Sequence, residues 1–139
     1  MLFRSDVGWP RCGEIDIMEF VGFQPGMTHF NVHTYGTVCL DKGQNTIVAK
    51  GWQIPCTDLS DKFHVYSLDW TEKNLKMFFD NRLVGVYPKL KGQPDYWPFD
   101  KPQYLLLNLA IGGAWGGQKG IDDSIFPARY EIDFVRYYK

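Results

Sequence analysis

Apolar and polar side chains alternate along several short runs of the chain, as they do in β-strands that bury one face. Two of the runs flank Asp80-Asn81, a pair that predicts a tight two-residue hairpin turn. Turn-forming residues bound the other runs, and none of them has the 3.6-residue period of a helix. The predicted strands are residues 28–35, 63–70, 75–79, 83–87 and 130–138.

Other segments depart from simple alternation. Residues 104–111 are apolar almost throughout, which is typical of a strand buried on both faces, and Asn108 interrupts them. Asn108 is then either a structural amide or a contact to a ligand, because a buried amide needs hydrogen-bond partners. A weaker strand is predicted at residues 46–52. A loop is predicted for residues 1–10. For the proline-rich residues 89–101, a connection with one short helical turn is predicted.

These elements together indicate the fold class. The chain has 139 residues, which is enough for one domain at most. Short strands between turn signals, with no internal repeat and no long helix, predict an all-β protein. The expected architecture is an antiparallel β-sandwich of jelly-roll type.

The run GEIDIMEF at residues 13–20 carries the clearest candidate chemistry. Successive side chains of a strand point to opposite faces, so Glu14 and Asp16 share one face. Glu19 is out of phase by one residue. A β-bulge near residues 17–18 would take up one residue and return Glu19 to the acidic face. The opposite face would then carry Ile15, Ile17 and Phe20.

Three carboxyl groups on one strand face have a specific chemical use. Neighbouring carboxylates repel, which raises the pKa of at least one of them. Two acids of unequal pKa are what glycoside hydrolysis needs: one protonates the leaving oxygen, and the other attacks the anomeric carbon. The alternative is a solvated strand face paired with Lys or Arg. Because no basic residue alternates with these acids, a catalytic strand is the favoured interpretation.

Polar and aromatic residues elsewhere fit a cleft beside this strand. His29, Asn31 and His33 share one face of residues 28–35, and pairing with the acidic strand would bring that face to the acids. Two histidines four residues apart in a strand are too distant to share a metal, so hydrogen bonding is expected of them. Trp9 is interpreted as either a plug at the core edge or a sugar platform. The glycines of residues 112–117 are expected to form a mobile loop that carries Trp115.

Composition excludes several classes of function. The net charge is −1 and no Lys/Arg cluster is present, which argues against a nucleic-acid partner. No apolar run is long enough to span a membrane, and no signal peptide is expected at the start. Three cysteines leave at least one unpaired within the chain. Cys39 and Cys56 either form a bridge or stay free, and no cysteine has C-x-x-C metal spacing.

The same segments resemble a known family. WPRCGEIDIMEFVG at residues 9–22 is similar to the catalytic segment of glycoside hydrolase family 16, and the extra Met18 resembles its laminarinase-like, endo-β-1,3-glucanase branch. Further similar segments follow in family order to the end of the chain. They are HFNVHT (29–34), FHVYSLDW (63–70), LNLAIGGAW (107–115) and DFVRYY (133–138).

The resemblance implies roles for particular residues. Glu14 would be the nucleophile, Glu19 the general acid/base, and Asp16 the acid that tunes them. Asp133 would be a ligand of a structural calcium, and no cofactor is expected for catalysis. The substrate would be a β-glucan polysaccharide, and the protein would be secreted. The residues expected to bind substrate are Trp9, Asn31, His33, Asn108 and Trp115.

The resemblance also implies that residues 1–139 form a partial family 16 catalytic domain of concanavalin-like fold, whose N-terminal strands would be missing. Exposed sheet edges in such a partial sandwich favour self-association. Two other functions stay open. One is a non-catalytic glucan-binding protein or an inactive fragment, and the other is a galactan hydrolase of agarose or carrageenan type.

Overall fold

The computed structural model describes residues 1–4, 6–42, 44 and 47–139. Its regular structure is mostly β, which confirms the predicted class, and every paired strand is antiparallel. The strands are β1 (Leu2–Phe3), β2 (Glu14–Glu19), β3 (Met27–His33), β4 (Gly51–Pro55), β5 (Tyr66–Trp70), β6 (Asn74–Phe79), β7 (Arg82–Pro88) and β8 (Tyr104–Leu105). The helical segments are a π-helix at Gly36–Leu40, 3₁₀ turns at Pro94–Tyr96 and Asp123–Ile125, and α1 (Gly113–Gly116).

Two sheets pack face to face, as the sandwich prediction requires. The first has the strand order β4-β3-β2-β1-β8, and the second has the order β5-β6-β7. The alternating residues of β2, β3, β6 and β7 supply the core between them, because every second side chain points inward. Full burial of one such aliphatic or aromatic side chain contributes about 1.5–3 kcal/mol. The core side chains include Ile15, Phe30, Val32, Leu75, Met77 and Tyr87, with Tyr96, Trp97 and Phe99 added by the loop after β7.

The β6–β7 hairpin forms as the sequence predicts. Asp80 and Asn81 have φ angles of +47° and +64°, which two-residue hairpin turns require and which Asn and Asp tolerate. Farther along β7, Gly85 lies against the indole ring of Trp52 from β4. A Cβ atom on Gly85 would sit 2.1 Å from that ring, so the close approach of the two sheets requires glycine there.

The predicted strand at residues 104–111 is largely wrong. Only Tyr104–Leu105 is a strand, and the following residues, including Asn108, are exposed rather than buried. The reason lies in the partner strand. β1 is only two residues long, so the ladder continues for one further residue pair, in which Leu106 N–H donates to the Met1 carbonyl and the Met1 amino group donates to the Leu106 carbonyl.

The predicted strand at residues 130–138 is also wrong. These residues alternate in polarity but form no strand, and the described part of the chain offers them no strand partner. Tyr137 and Tyr138 are 82% and 77% exposed. Alternation indicates which side chains prefer burial, but a strand also needs a neighbour for its backbone hydrogen bonds. The exposed apolar side chains of this segment are consistent with the self-association predicted above, which stays a prediction.

Smaller differences affect element boundaries. The strand predicted at residues 46–52 is found as β4, at Gly51–Pro55, and its predicted first residue, Thr46, lies outside the described residues. The strand predicted from residue 63 begins only at Tyr66. The loop predicted at residues 1–10 contains the short β1, and Phe20 is exposed instead of joining the core. The helical turn predicted within residues 89–101 is present at Pro94–Tyr96.

The cysteine alternatives are resolved by the structure. Cys39 and Cys56 are both free, so the bridge between them does not form. Among the described residues, no helix combines the length and the apolar character needed to cross a bilayer.

Candidate active site

The pairing of β2 with β3 brings the acidic and polar faces together. Glu14 lies opposite His33, Asp16 opposite Asn31, and Glu19 opposite His29. From Asp16 to Glu19 the β2 strand advances by three residues, whereas β3 advances by only two, from Asn31 to His29. The extra residue of β2 forms the predicted bulge. The bulge returns Glu19 to the face of the other two acids, as its contact with Asn31 shows.

Asp16 occupies the middle of the acidic strand and is only 1% exposed. Burial raises its pKa, and the neighbouring charge of Glu14 raises it further, against the opposing effect of His33. His33 Nε2 lies 3.3 Å from Asp16 Oδ2, at ion-pair distance. That oxygen has no hydrogen-bond partner among the described residues. The contact with Asp16 in turn raises the pKa of His33.

Glu19 has the environment of a proton donor. Burial is the main cause that raises its pKa, and the charge of Asp16 adds to it. Asn31 Nδ2 donates a hydrogen bond to Glu19 Oε2 and opposes the rise, because it stabilises the ionised carboxylate. Asn31 has room to do so because Gly51 lies beside it on β4. A Cβ on Gly51 would meet Asn31 Oδ1 at 2.4 Å.

Glu14 is held at the other end of the acidic strand. Trp9 Nε1 donates to Glu14 Oε2 at 2.7 Å, and the Trp9 ring lies 6.2 Å from that of His33. Trp9 is 53% exposed, so it is not a plug of the core edge, and an open ring beside an acid suits a sugar platform. Gly13 fixes the start of the strand. It has a φ of +74°, and a Cβ there would lie 2.5 Å from Pro98.

Trp115 marks the Glu19 end of the same face. It lies on α1 after two glycines with positive φ, Gly112 and Gly113. Its ring meets His29 edge-on, with centroids 5.1 Å apart, and His29 pairs with Glu19 across the ladder. Exposed aromatic rings therefore stand near both ends of the row of acids.

An open groove continues from the acids towards β4, with a volume of about 470 Å³. Two residues of its outer wall, Lys50 and Gln53, were not predicted from the sequence. Gln53 lies opposite His29 in the register of β3 and β4, and the alternation of Gly51–Pro55 could have placed it on the polar face. Lys50 comes directly before β4 and carried no such signal. The groove is lined by His29, Asn31, Lys50, Gly51, Trp52 and Gln53.

Two expected residues are not brought into this group. Asn108 is exposed and makes no hydrogen bond to the three acids in the part of the chain described here. Asp133 is also exposed. Calcium takes six to eight oxygen ligands, and around Asp133 the described residues assemble no group of three His, Cys, Asp or Glu ligands. These residues do not by themselves fit a calcium ion, so the calcium prediction for Asp133 stays a prediction and no chemical step is derived from it.

Comparison with known proteins gives a consistent picture. A beta-glucanase of Rhodothermus marinus is 41% identical over 138 residues, covering 94% of this chain and 46% of the relative. The crystal structure of SCLam, a non-specific endo-beta-1,3(4)-glucanase from family GH16, matches with a TM-score of 0.77 at 42% identity, over 90% of this chain and 45% of that one. The laminarinase structure from Rhodothermus marinus matches with a TM-score of 0.76 at 37% identity, over 89% and 51%.

The chain thus spans about half the length of these relatives. The family model for glycosyl hydrolases family 16 matches residues 1–136. Since that match covers nearly the whole chain, the protein belongs to glycoside hydrolase family 16.

Proposed function

We propose that this chain carries the catalytic strand of a retaining endo-β-glucanase that cleaves β-1,3 or mixed β-1,3/1,4 linkages, as in laminarin. The observation that carries the proposal is the bulged strand β2, whose three acids share one face in three different environments, beside an open groove. The names of the relatives, a beta-glucanase, an endo-beta-1,3(4)-glucanase and a laminarinase, support the substrate class.

In the proposed reaction, Glu14 attacks the anomeric carbon while Glu19 protonates the leaving oxygen. The raised pKa of Glu19 supports the donor role, because it keeps the carboxyl protonated to higher pH. The Trp9 N–H group supports the role of Glu14 by fixing one carboxylate oxygen. Glu19 then removes a proton from water, whose oxygen bonds to the anomeric carbon as the bond to Glu14 breaks, and the sugar leaves with retained configuration. We expect the two carboxyl groups to lie about 5–5.5 Å apart with sugar bound.

Asp16 and His33 act on these two acids rather than on the sugar. Ionised Asp16 raises the pKa of Glu19 and holds His33 by charge. As Glu19 gives up its proton, positive charge on His33, whose pKa is raised by the contact with Asp16, would offset part of the negative charge along the acidic strand. Asp16 is therefore a positioning and charge-tuning residue in this scheme.

The substrate would run along the face between Trp9 and Trp115. Open aromatic rings offer apolar surface to pyranose faces, and Asn31, His33 and the groove wall offer hydrogen bonds. In this proposal Asn108 and Asp133 have no role that the structure supports. Because the substrate is an extracellular polysaccharide, we also propose that the protein acts outside the cell.

The test is a reducing-sugar assay on laminarin, mixed-linkage glucan and agarose, with Glu14→Gln and Glu19→Gln as controls. We expect turnover of the glucans, loss of at least about 100-fold in either variant, and a β-anomer as the first product by NMR. Binding of laminarin without turnover would instead support a glucan-binding protein. Turnover of agarose alone would support the galactan hydrolase, and an inverted product would refute the roles given to Glu14 and Glu19.

A further inference from the structure

A second cluster of reactive side chains lies where the two sheets meet, and the glucanase proposal does not use it. Cys56 directly follows β4 of the first sheet, Asp58 stands in the next turn, and His64 comes shortly before β5 of the second sheet. One ligand atom from each of these residues lies within 4.8 Å of the other two. We call Cys56, Asp58 and His64 the Cys-Asp-His cluster.

The distances within the cluster suit a tetrahedral metal ion. Cys56 Sγ lies 3.8 Å from His64 Nε2, and His64 Nε2 lies 3.4 Å from Asp58 Oδ1. Zinc bonds of about 2.3 Å to sulfur and 2.0–2.1 Å to nitrogen or oxygen would place such ligand pairs about 3.3–3.6 Å apart. The remaining pair, Cys56 Sγ and Asp58 Oδ1, is closer at 2.9 Å because the thiol donates a hydrogen bond there. To reach the spacing of zinc ligands, only these two atoms have to move apart, by about 0.6 Å.

The orientation of the histidine is already fixed for metal binding. His64 Nδ1 lies 2.8 Å from Asp80 Oδ2, and the other oxygen of Asp80 accepts a hydrogen bond from the Val65 N–H. A carboxylate that receives one ring N–H leaves the lone pair of the other nitrogen free for a metal. Here that other nitrogen, Nε2, is the one that faces Cys56 and Asp58. Phe79 stacks on the imidazole at 5.0 Å and limits its rotation.

The carboxylate ligand is held in a similar way. Lys62 Nζ lies 2.7 Å from Asp58 Oδ2, which leaves Oδ1 directed at the cluster. Asp58 would therefore bind a metal through one oxygen. The His64 side chain is only 10% exposed, while that of Asp58 is 33% exposed, so an ion has an open route in.

We propose that the Cys-Asp-His cluster binds one zinc ion, with water as the fourth ligand, and that this ion ties the end of β4 to the start of β5. Thiolate and imidazole favour zinc over calcium or magnesium, which prefer oxygen ligands. Binding forms one Zn–S bond, and the thiol proton leaves to solvent. The charges of one thiolate and one carboxylate then match that of the ion. The site does not depend on the function proposed for the acidic strand.

The experiment uses the purified 139-residue chain, stripped of metal and kept reduced, with zinc chloride or cobalt chloride as the probe. Zinc should bind at one equivalent by calorimetry and raise the melting temperature, because a ligand of the folded state stabilises it. Cobalt should give the visible bands of a tetrahedral site and a thiolate charge-transfer band. Excess calcium chloride should leave the cobalt bands unchanged, because calcium prefers oxygen ligands.

Variants identify the ligands. Cys56→Ser should abolish the thiolate band, whereas Cys39→Ser, which alters an exposed cysteine outside the cluster, should retain it. Asp80→Asn keeps a residue that tolerates the turn and should weaken zinc binding about 10–100-fold. Asp58→Asn serves as a second ligand variant in case Cys56→Ser does not fold. Equal zinc affinity in the wild type and Asp58→Asn, or cobalt bands without a thiolate contribution, would overturn the proposal.

Discussion

The hydrogen bond from Asn31 to Glu19 gives a direct test of how the proposed acid is tuned. Replacing Asn31 by Leu keeps the size of the side chain but removes the N–H donor. Because that donor stabilises the ionised form of Glu19, its loss should raise the pKa of Glu19 further. Asn31→Leu is therefore expected to extend the protonated range of Glu19 to higher pH.

The size of the effect follows from the kind of hydrogen bond and its exposure. Hydrogen bonds to charged groups contribute about 1.5–3 kcal/mol. Glu19 and Asn31 are both half-buried, so water replaces part of the lost bond and the lower end applies. Since one pKa unit corresponds to about 1.4 kcal/mol, the pKa of Glu19 should rise by about 1 unit.

Two measurements should report this change. A carbon-13 NMR titration follows the Glu19 carboxyl directly and does not require turnover. In the reaction, the alkaline limb of the pH profile of kcat/KM should shift to higher pH by a similar amount. That limb reports the loss of the acid's proton in the free enzyme.

The matched control is Gln53→Leu, which makes the same kind of change on the wall of the same groove. In this variant the pKa of Glu19 should stay within about 0.3 units of its wild-type value. That is less than the change expected when a hydrogen bond to a charged group is lost. A Glu19 pKa that stays constant or falls in Asn31→Leu would refute the reasoning. An equal rise in both variants would attribute the effect to the groove and not to the hydrogen bond.

Three further predictions concern packing, the tryptophan contact and pH. Gly85→Ala should destabilise the fold by about 1–3 kcal/mol in urea melts, because the added methyl overlaps the Trp52 ring; an unchanged midpoint would show that the sheets separate freely. Trp9→Phe should keep a sugar-facing ring but release the Glu14 oxygen, so kcat should fall more than KM rises, and a change confined to KM would contradict this. The raised pKa of His33 means that its contribution to stability is full below about pH 6.5 and is lost as pH rises through the folded-state pKa. His33→Gln should therefore lose more stability at pH 5.5 than at pH 8.5, and equal losses at both would refute the linkage.

The part of the site that could be predicted from sequence is the part encoded by local spacing. Glu14 and Asp16 lie two residues apart and Glu19 three residues later, so a one-residue bulge followed from strand geometry alone. The polar face of β3 was predicted in the same way, and its register against β2 then placed Asn31 and His33 beside the acids.

The remaining features depend on contacts between distant parts of the chain. Residues 104–111 and 130–138 have strand-like patterns, but their pattern contains no information on whether a neighbouring strand is present to pair with them. The Cys-Asp-His cluster has no recognisable ligand spacing either. It forms because the end of β4, the start of β5 and the β6–β7 turn meet in space, and Asp80 joins it from that turn.

The bulge in β2 also separates two properties of the strand that are usually linked, its length and the direction of its side chains. If Met18 were deleted, two steps on β2 would face two steps on β3, and regular alternation would still direct Glu14, Asp16 and Glu19 to one face. The deletion would change only the local bend and twist that a bulge adds. Insertion or loss of this residue would therefore alter the curvature of the surface that carries the acids while it conserves the set of acids.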